Sequence, residues 1–111
     1  MAHQPTDPTS MAAIGARLEL TRRALGFTQV AMGRLMGAVS NGQAWQNYEA
    51  GNRRISVDHA LELCRNCSLT LDWIYQGRVV NLPPELRDRI QQLMAQEAPQ
   101  SLTRRLKSRR K

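Results

Sequence analysis

Four glycines limit the helices that this chain can build. Gly26, Gly37, Gly51 and Gly77 each follow a stretch with helical periodicity, where glycine commonly closes a helix, so segments before residue 78 run to about fifteen residues at most. Met11 to Leu25 carries Ile14, Leu18 and Leu25 on one face. Thr28 is placed to cap a second stretch containing Val30, Ala31, Met32, Leu35 and Met36. A third covers roughly Asn41 to Ala50. Ser56 caps a fourth, with Val57, Ala60, Leu61, Cys64 and Cys67 marking its inward face, and a fifth spans about Leu71 to Tyr75. Runs of β-branched and aromatic residues are missing, and aromatics make up only 5% of the chain, so strands are not expected. The reading is an all-α fold of short helices.

At 111 residues the chain has room for one modest core and not for two. After Gly77 its character changes. Asn81-Leu82-Pro83-Pro84 breaks the pattern, and proline in the first turn is a sound helix opener. Leu86, Ile90, Leu93 and Met94 then recur at helical spacing to about Glu97. This apolar stripe has to be covered, either by its own domain or by a second copy of the chain. The expected organisation is a disordered start at 1–10, a helical domain at 11–78, a C-terminal helix at 82–97 for dimerisation or packing, and a tail at 98–111.

The tail is where the charge lies. The net charge is +7, and Arg104, Arg105, Lys107, Arg109, Arg110 and Lys111 fall in 98–111 with no acid among them. The body is therefore close to neutral. A cationic tail suits a polyanion, and equally it is what a solvated chain end looks like. No apolar run approaches the ~20 residues that span a bilayer, and the polar opening MAHQPTDPTS lacks the layout of a signal peptide. A cytoplasmic, nucleoid-associated protein without a membrane partner is expected.

The third stretch, SNGQAWQNYEAG from Ser40 to Gly51, crowds amides around two aromatics. Helical periodicity turns Trp45, Tyr48 and Ala44 inward and Gln43, Gln46 and Asn47 outward, with Gln43 and Asn47 one turn apart on one face. Ser40 and Asn41 compete as its N-cap, since Ser40-x-x-Gln43 fits a capping box. Amides on an exposed helix are common. They are also the side chains that bond adenine bidentately through N6 and N7.

The order of the pieces carries a resemblance. IGARLELTRRALGFTQ, QNYEAGNRRIS and VDHALELCRNCSLTLDWIYQG, lying between Ile14 and Gly77, resemble the lambda repressor/Cro-like (Xre-type) helix-turn-helix DNA-binding domains, over more than half the chain. The resemblance implies a five-helix domain followed by the additional C-terminal helix. It also implies double-stranded DNA as partner, a homodimer, and transcriptional regulation of the phage or bacterial repressor type. By family position Gln43 and Asn47 read bases, with Gln46 nearer the flank and Asn41 at the helix start. Gly42 lets the backbone approach DNA. Arg22 and Glu49 form a semi-buried ion pair that orients the reading helix and leaves an edge of Arg22 for a phosphate. Gln29 holds a phosphate, although a local capping role suits its position too. Asn52, Arg53 and Arg54 lie in the loop that follows the DNA backbone. Two departures stand out. Trp45 occupies a position usually held by Ile, and the path from Gly37 to Glu49 is longer by about two residues than the family spacing. Either the turn is longer or a flanking helix starts or ends elsewhere.

Cys64-x-x-Cys67 invites a zinc or redox reading, but two cysteines without a convergent histidine are better placed in a core, and His59 reads as a surface residue. No phosphate loop, carboxylate pair or nucleophile–base set is present in sequence, so no enzyme activity, cofactor, metal or small-molecule ligand is expected. The alternative function is a protein-interaction module of the same fold, antitoxin-like or transcription-bridging, with mainly non-specific nucleic-acid affinity. RNA binding through the tail is weakly supported, because no aromatics interleave with the cations.

Overall fold

Short helices joined by turns and links make up the described chain. The structure, a computed structural model, describes residues 7–38 and 42–96. Five helical elements precede residue 78: α1 (Met11–Leu25), α2 (Gln29–Leu35), α3 (Gln43–Glu49), α4 (Val57–Cys67) and α5 (Asp72–Gln76), the last a single π-helical turn. A sixth, α6, occupies residues 84–96. Among the described residues there is no strand, and no helix is long and apolar enough to cross a membrane.

Three of the helix starts share one device. Ser10, Thr28 and Ser56 each accept a hydrogen bond from the backbone N–H three residues on, which satisfies a donor that the first turn leaves open. The third helix differs. It begins at Gln43 and has Gly42 in the cap position with no side-chain cap bond, so the expected start at Asn41 is corrected by two residues. The link from α2 therefore covers 36–42. Val39, Ser40 and Asn41 lie outside the described residues.

The core forms where α1 crosses α3 and α5 and where α2 meets α3 and α4. Ile14, Leu18, Met32, Met36, Trp45, Leu63 and Ile74 are fully buried in it. On α4 the inward face is Ala60 and Leu63, with Cys64 and Cys67 half-buried beside them. Val57 and Leu61, expected inside, are 58% and 41% exposed, so that expectation is corrected by a rotation of the helix. The spacing 57-61-64 and the spacing 60-63-67 are both helical, and only the neighbours decide between them.

Two polar side chains stabilise this core from within. Thr21, fully buried, donates to the Arg17 carbonyl at 2.7 Å and accepts the Trp73 indole N–H at 2.9 Å. Arg17, also buried, donates Nε and Nη2 to the Ile74 carbonyl and lies over the Trp73 ring. Burial pulls its pKa down from the ordinary arginine value, and the carbonyls and the ring face offset that desolvation. Its Nη2 also donates to the Pro8 carbonyl. Part of the start expected to be disordered is thereby fastened: Asp7 accepts from Thr9 N and Oγ1 at 2.9 and 2.7 Å, forming a turn that leads into Ser10.

The C-terminal stripe is used in cis. Leu82 is buried in the same core, and of the dimerisation candidates Leu86 and Ile90 are buried there too while Leu93, half-buried, packs against it, so Leu86 and Ile90 are covered within a single copy. The physical reason is the proline pair, which ends the α5 connection and lets α6 return along α1, where Arg89 Nη1 donates to the Ala24 carbonyl at 3.0 Å. A cation on a last-turn carbonyl also complements the negative end of the α1 dipole. Met94 alone of the four is exposed.

Candidate nucleic-acid interface

One turn of α3 divides its side chains sharply between core and solvent. Trp45 is fully buried and Tyr48 nearly so, while Gln43 and Gln46 are exposed and Asn47 is half-buried. The amides form the outer face and the aromatics the inner one. The helix is held at its start by an approach that only glycine permits. Gly42 has φ +93°, and a Cβ there would lie 3.2 Å from Val30 Cγ2 and 3.3 Å from the Val30 backbone. The bareness of Gly42 is thus spent on contact with α2.

The other end of α3 is fixed by a carboxylate. Glu49, its side chain 8% exposed, accepts Arg22 Nε on Oε2 at 2.6 Å and Gln29 Nε2 on Oε1 at 3.0 Å. Arg22 Nη2 reaches Oε1 at 3.5 Å, and the Trp45 indole Nε1 donates to Oε2. One acceptor therefore ties α1, α2 and α3 together. A buried carboxylate is tolerable only when its lone pairs are filled in this way. Arg22 has a further bond, from Nη1 to the Phe27 carbonyl at 3.3 Å, which steadies the α1–α2 turn.

The structure brings Arg22, Gln29 and Glu49 into one network and leaves Gln43, Gln46 and Asn47 on the adjoining surface. Gln29 is not a cap: Thr28 performs that task, and the Gln29 amide turns to Glu49 instead. Asn52 and Arg53 are exposed in the loop after α3. Arg54 is drawn off by the N-terminal turn, donating to the Thr9 carbonyl beside the Asp7 carboxylate. Asn41, expected at the helix start, lies outside the described residues. The Trp45–Glu49 bond was not anticipated, although the i, i+4 spacing of an indole donor and a carboxylate was in the sequence to be read.

His59 is not a free surface residue. Its Nδ1 lies 2.9 Å from the Tyr48 hydroxyl, and the rings meet edge to face. This links α3 to the first turn of α4, where Ser56 N also donates to the same hydroxyl at 3.4 Å. Cys64 and Cys67 are free thiols, and among the described residues no cluster of three metal-ligating side chains exists. Burial raises the pKa of both thiols, that of Cys67 further through its neighbour Cys64. Less thiolate is present at neutral pH than in a free cysteine, so alkylation by iodoacetamide at pH 7 is expected to be slower than that of a cysteine peptide. The gap should narrow as the pH rises. Equal rates at pH 7, followed by mass spectrometry, would contradict the packing described for this face.

Compared with known protein families, curated proteins and solved structures, the chain finds no match.

Proposed function

We propose that the chain is a sequence-specific DNA-binding transcriptional regulator, a homodimeric repressor of the lambda repressor/Cro-like (Xre-type) kind, reading the major groove with α3. The observation that carries this reading is the division of α3: an outer face of Gln43, Gln46 and Asn47 on a helix whose inner face is locked into the core and whose end is pinned through Glu49. Amides carried on a rigid helix are suited to bidentate bonds with adenine, because the backbone that presents them is already ordered and only their own rotamers remain to be fixed on binding. Arg22, Gln29, Asn52 and Arg53 rim the proposed surface as phosphate contacts. Arg54 joins them only by exchanging its bond to Thr9. The six cations of the tail add sequence-independent affinity. A two-fold operator requires a dimer, whose contact is formed by a surface other than the buried Leu86 and Ile90.

The test is selection of bound duplexes from a random library near physiological salt, followed by Gln43→Ala and Asn47→Ala on the recovered site. Each is expected to cost about 1–3 kcal/mol of binding and to relax the preference at its own base position. An inverted repeat with half-sites about one turn apart supports the dimer. Recovery of unselected sequence, or indifference to both substitutions, would overturn the reading.

A second reading has one observation in its favour. Val57 and Leu61 lie exposed one turn apart on α4, beside an open cleft of about 400 Å³ lined by Met36, Gly37, Asp58, His59, Leu61, Glu62 and Arg65. An apolar pair rimmed by charges suits a protein partner. If this module mainly bridges proteins, the alanine variants of α3 leave its activity unchanged.

A further inference from the structure

Four donors converge on Glu49, and one of them comes from inside the core. Arg22 and Gln29 reach the carboxylate from α1 and α2 and keep part of their surface in solvent. Trp45 is different. It sits one turn before Glu49 on the same helix, is fully buried, and has its ring held by the side chains packed around it. Its indole N–H is therefore a donor with almost no freedom of its own. A glutamate side chain turns about several bonds, and a fixed donor on Oε2 selects one arrangement of the carboxylate.

That arrangement determines where Oε1 points, and Oε1 is the atom that takes Gln29 Nε2. With one N–H committed inward, the Gln29 amide keeps its other N–H and its carbonyl oxygen for the surface beside α3. Arg22 is oriented in the same way through Nε. A phenylalanine at position 45 would keep an aromatic ring in much of the same core space and leave Oε2 one donor short. The packing of Trp45 and its hydrogen bond are thus separable properties, and only the second bears on the rim of the reading surface.

Resting on the DNA-reading proposal, we infer that Trp45 is a positioning residue for DNA recognition: its indole N–H sets the Glu49 carboxylate, which in turn holds Gln29 and Arg22 in place at the edge of the α3 face. Trp45 itself touches no base. It acts through Glu49, and its effect on binding passes in part through Gln29.

The experiment is a double-mutant cycle on the full chain, read as the Kd for the duplex that the wild-type protein selects. Trp45→Phe keeps an aromatic ring in the core and removes the donor; Gln29→Ala removes the outer partner. Trp45→Phe is expected to weaken binding about fivefold in the wild-type background and by less than about twofold in the Gln29→Ala background, the non-additivity seen between members of one network. Circular dichroism at the binding temperature establishes that each variant is folded. Equal factors in the two backgrounds would mean that Trp45 only supports the fold, and the inference is lost. A second measurement needs no change at position 45. In ¹H–¹⁵N spectra, Gln29→Ala should move the Trp45 indole N–H resonance and leave that of Trp73, bonded to Thr21, in place. An unmoved Trp45 signal overturns the inference, and it decides the matter if Trp45→Phe does not fold. Should the wild-type protein select no duplex, the DNA reading itself has failed and this inference falls with it, a result distinct from an additive cycle on a selected site.

Discussion

Replacing Gly15 by alanine is expected to lower the stability of the whole domain. A Cβ at this position would stand 2.5 Å from the Tyr48 carbonyl oxygen and 2.6 Å from that of Glu49, and both are backbone atoms that cannot swing aside. One added methyl therefore has to push α1 and α3 apart along the line where they cross. Overpacking of this kind costs about 1–3 kcal/mol, and the rigidity of the obstacle places it toward the upper end. Against this, alanine gains about 1 kcal/mol over glycine as a helix former. The net loss is about 2 kcal/mol, or about 10 °C in the midpoint of thermal unfolding for a domain of this size. Gly33 supplies the control. Its Cβ would meet Gly42 Cα at 3.6 Å, an ordinary contact, so Gly33→Ala should leave the midpoint unchanged or raise it slightly. A Gly15→Ala protein that melts with the wild type would mean that the helices do not cross at this distance.

Glu49→Ala should cost more. It leaves the Arg22 guanidinium, the Trp45 indole and the Gln29 amide without their shared acceptor, in a site where the Arg22 side chain is only 20% exposed. Removing one partner of a largely buried pair strands the other, at about 3–5 kcal/mol. Partial exposure of Arg22 places this case near the lower figure. Glu49→Gln keeps the shape and one acceptor oxygen and is expected to fall between the alanine variant and the wild type. The same chain offers a contrast in Glu62 and Arg65, whose side chains are 41% and 65% exposed in an ion pair at 2.6 Å. Solvent and salt screen that pair, so Glu62→Ala should change stability by no more than about 0.5 kcal/mol. Urea titration of the two alanine variants decides it: equal midpoints would remove the central role given to Glu49.

How far these features were legible in the sequence varied with their range. Local chemistry was readable. The span of α1 and the caps Thr28 and Ser56 depend on residues within one turn of each other, and the split of α3 into aromatics and amides follows from its period alone. Position in the fold was not. Val57 and Leu61 matched a helical face that no neighbour covers, because two registers of α4 were equally apolar. Arg17 and Thr21 are polar positions of α1, and nothing near them in sequence announces the Ile74 carbonyl or the Trp73 indole, more than fifty residues away. The stripe on α6 was visible as a stripe, but its partner was a matter of chain direction after Pro83 and Pro84. In the candidate site, the residues came from the pattern and the resemblance, which also implied the Arg22–Glu49 pair, while Gln29 and Trp45 joined that carboxylate only when three helices met.

Arg89 on the Ala24 carbonyl and Arg17 on the Ile74 carbonyl join residues 65 and 57 positions apart, both to α1. The first helix is thus finished by the last two described helices. Closing such loops has an entropic cost that rises with their length, and the reward arrives only after the ends have met. Folding of this small helical protein is therefore expected to be paced by the arrival of α5 and α6 on α1 and not by the winding of any helix. The indole of Trp73, which enters the core beside Thr21 only at that arrival, is the natural clock for a stopped-flow refolding trace. Its signal should lag behind the gain of helix recorded by circular dichroism.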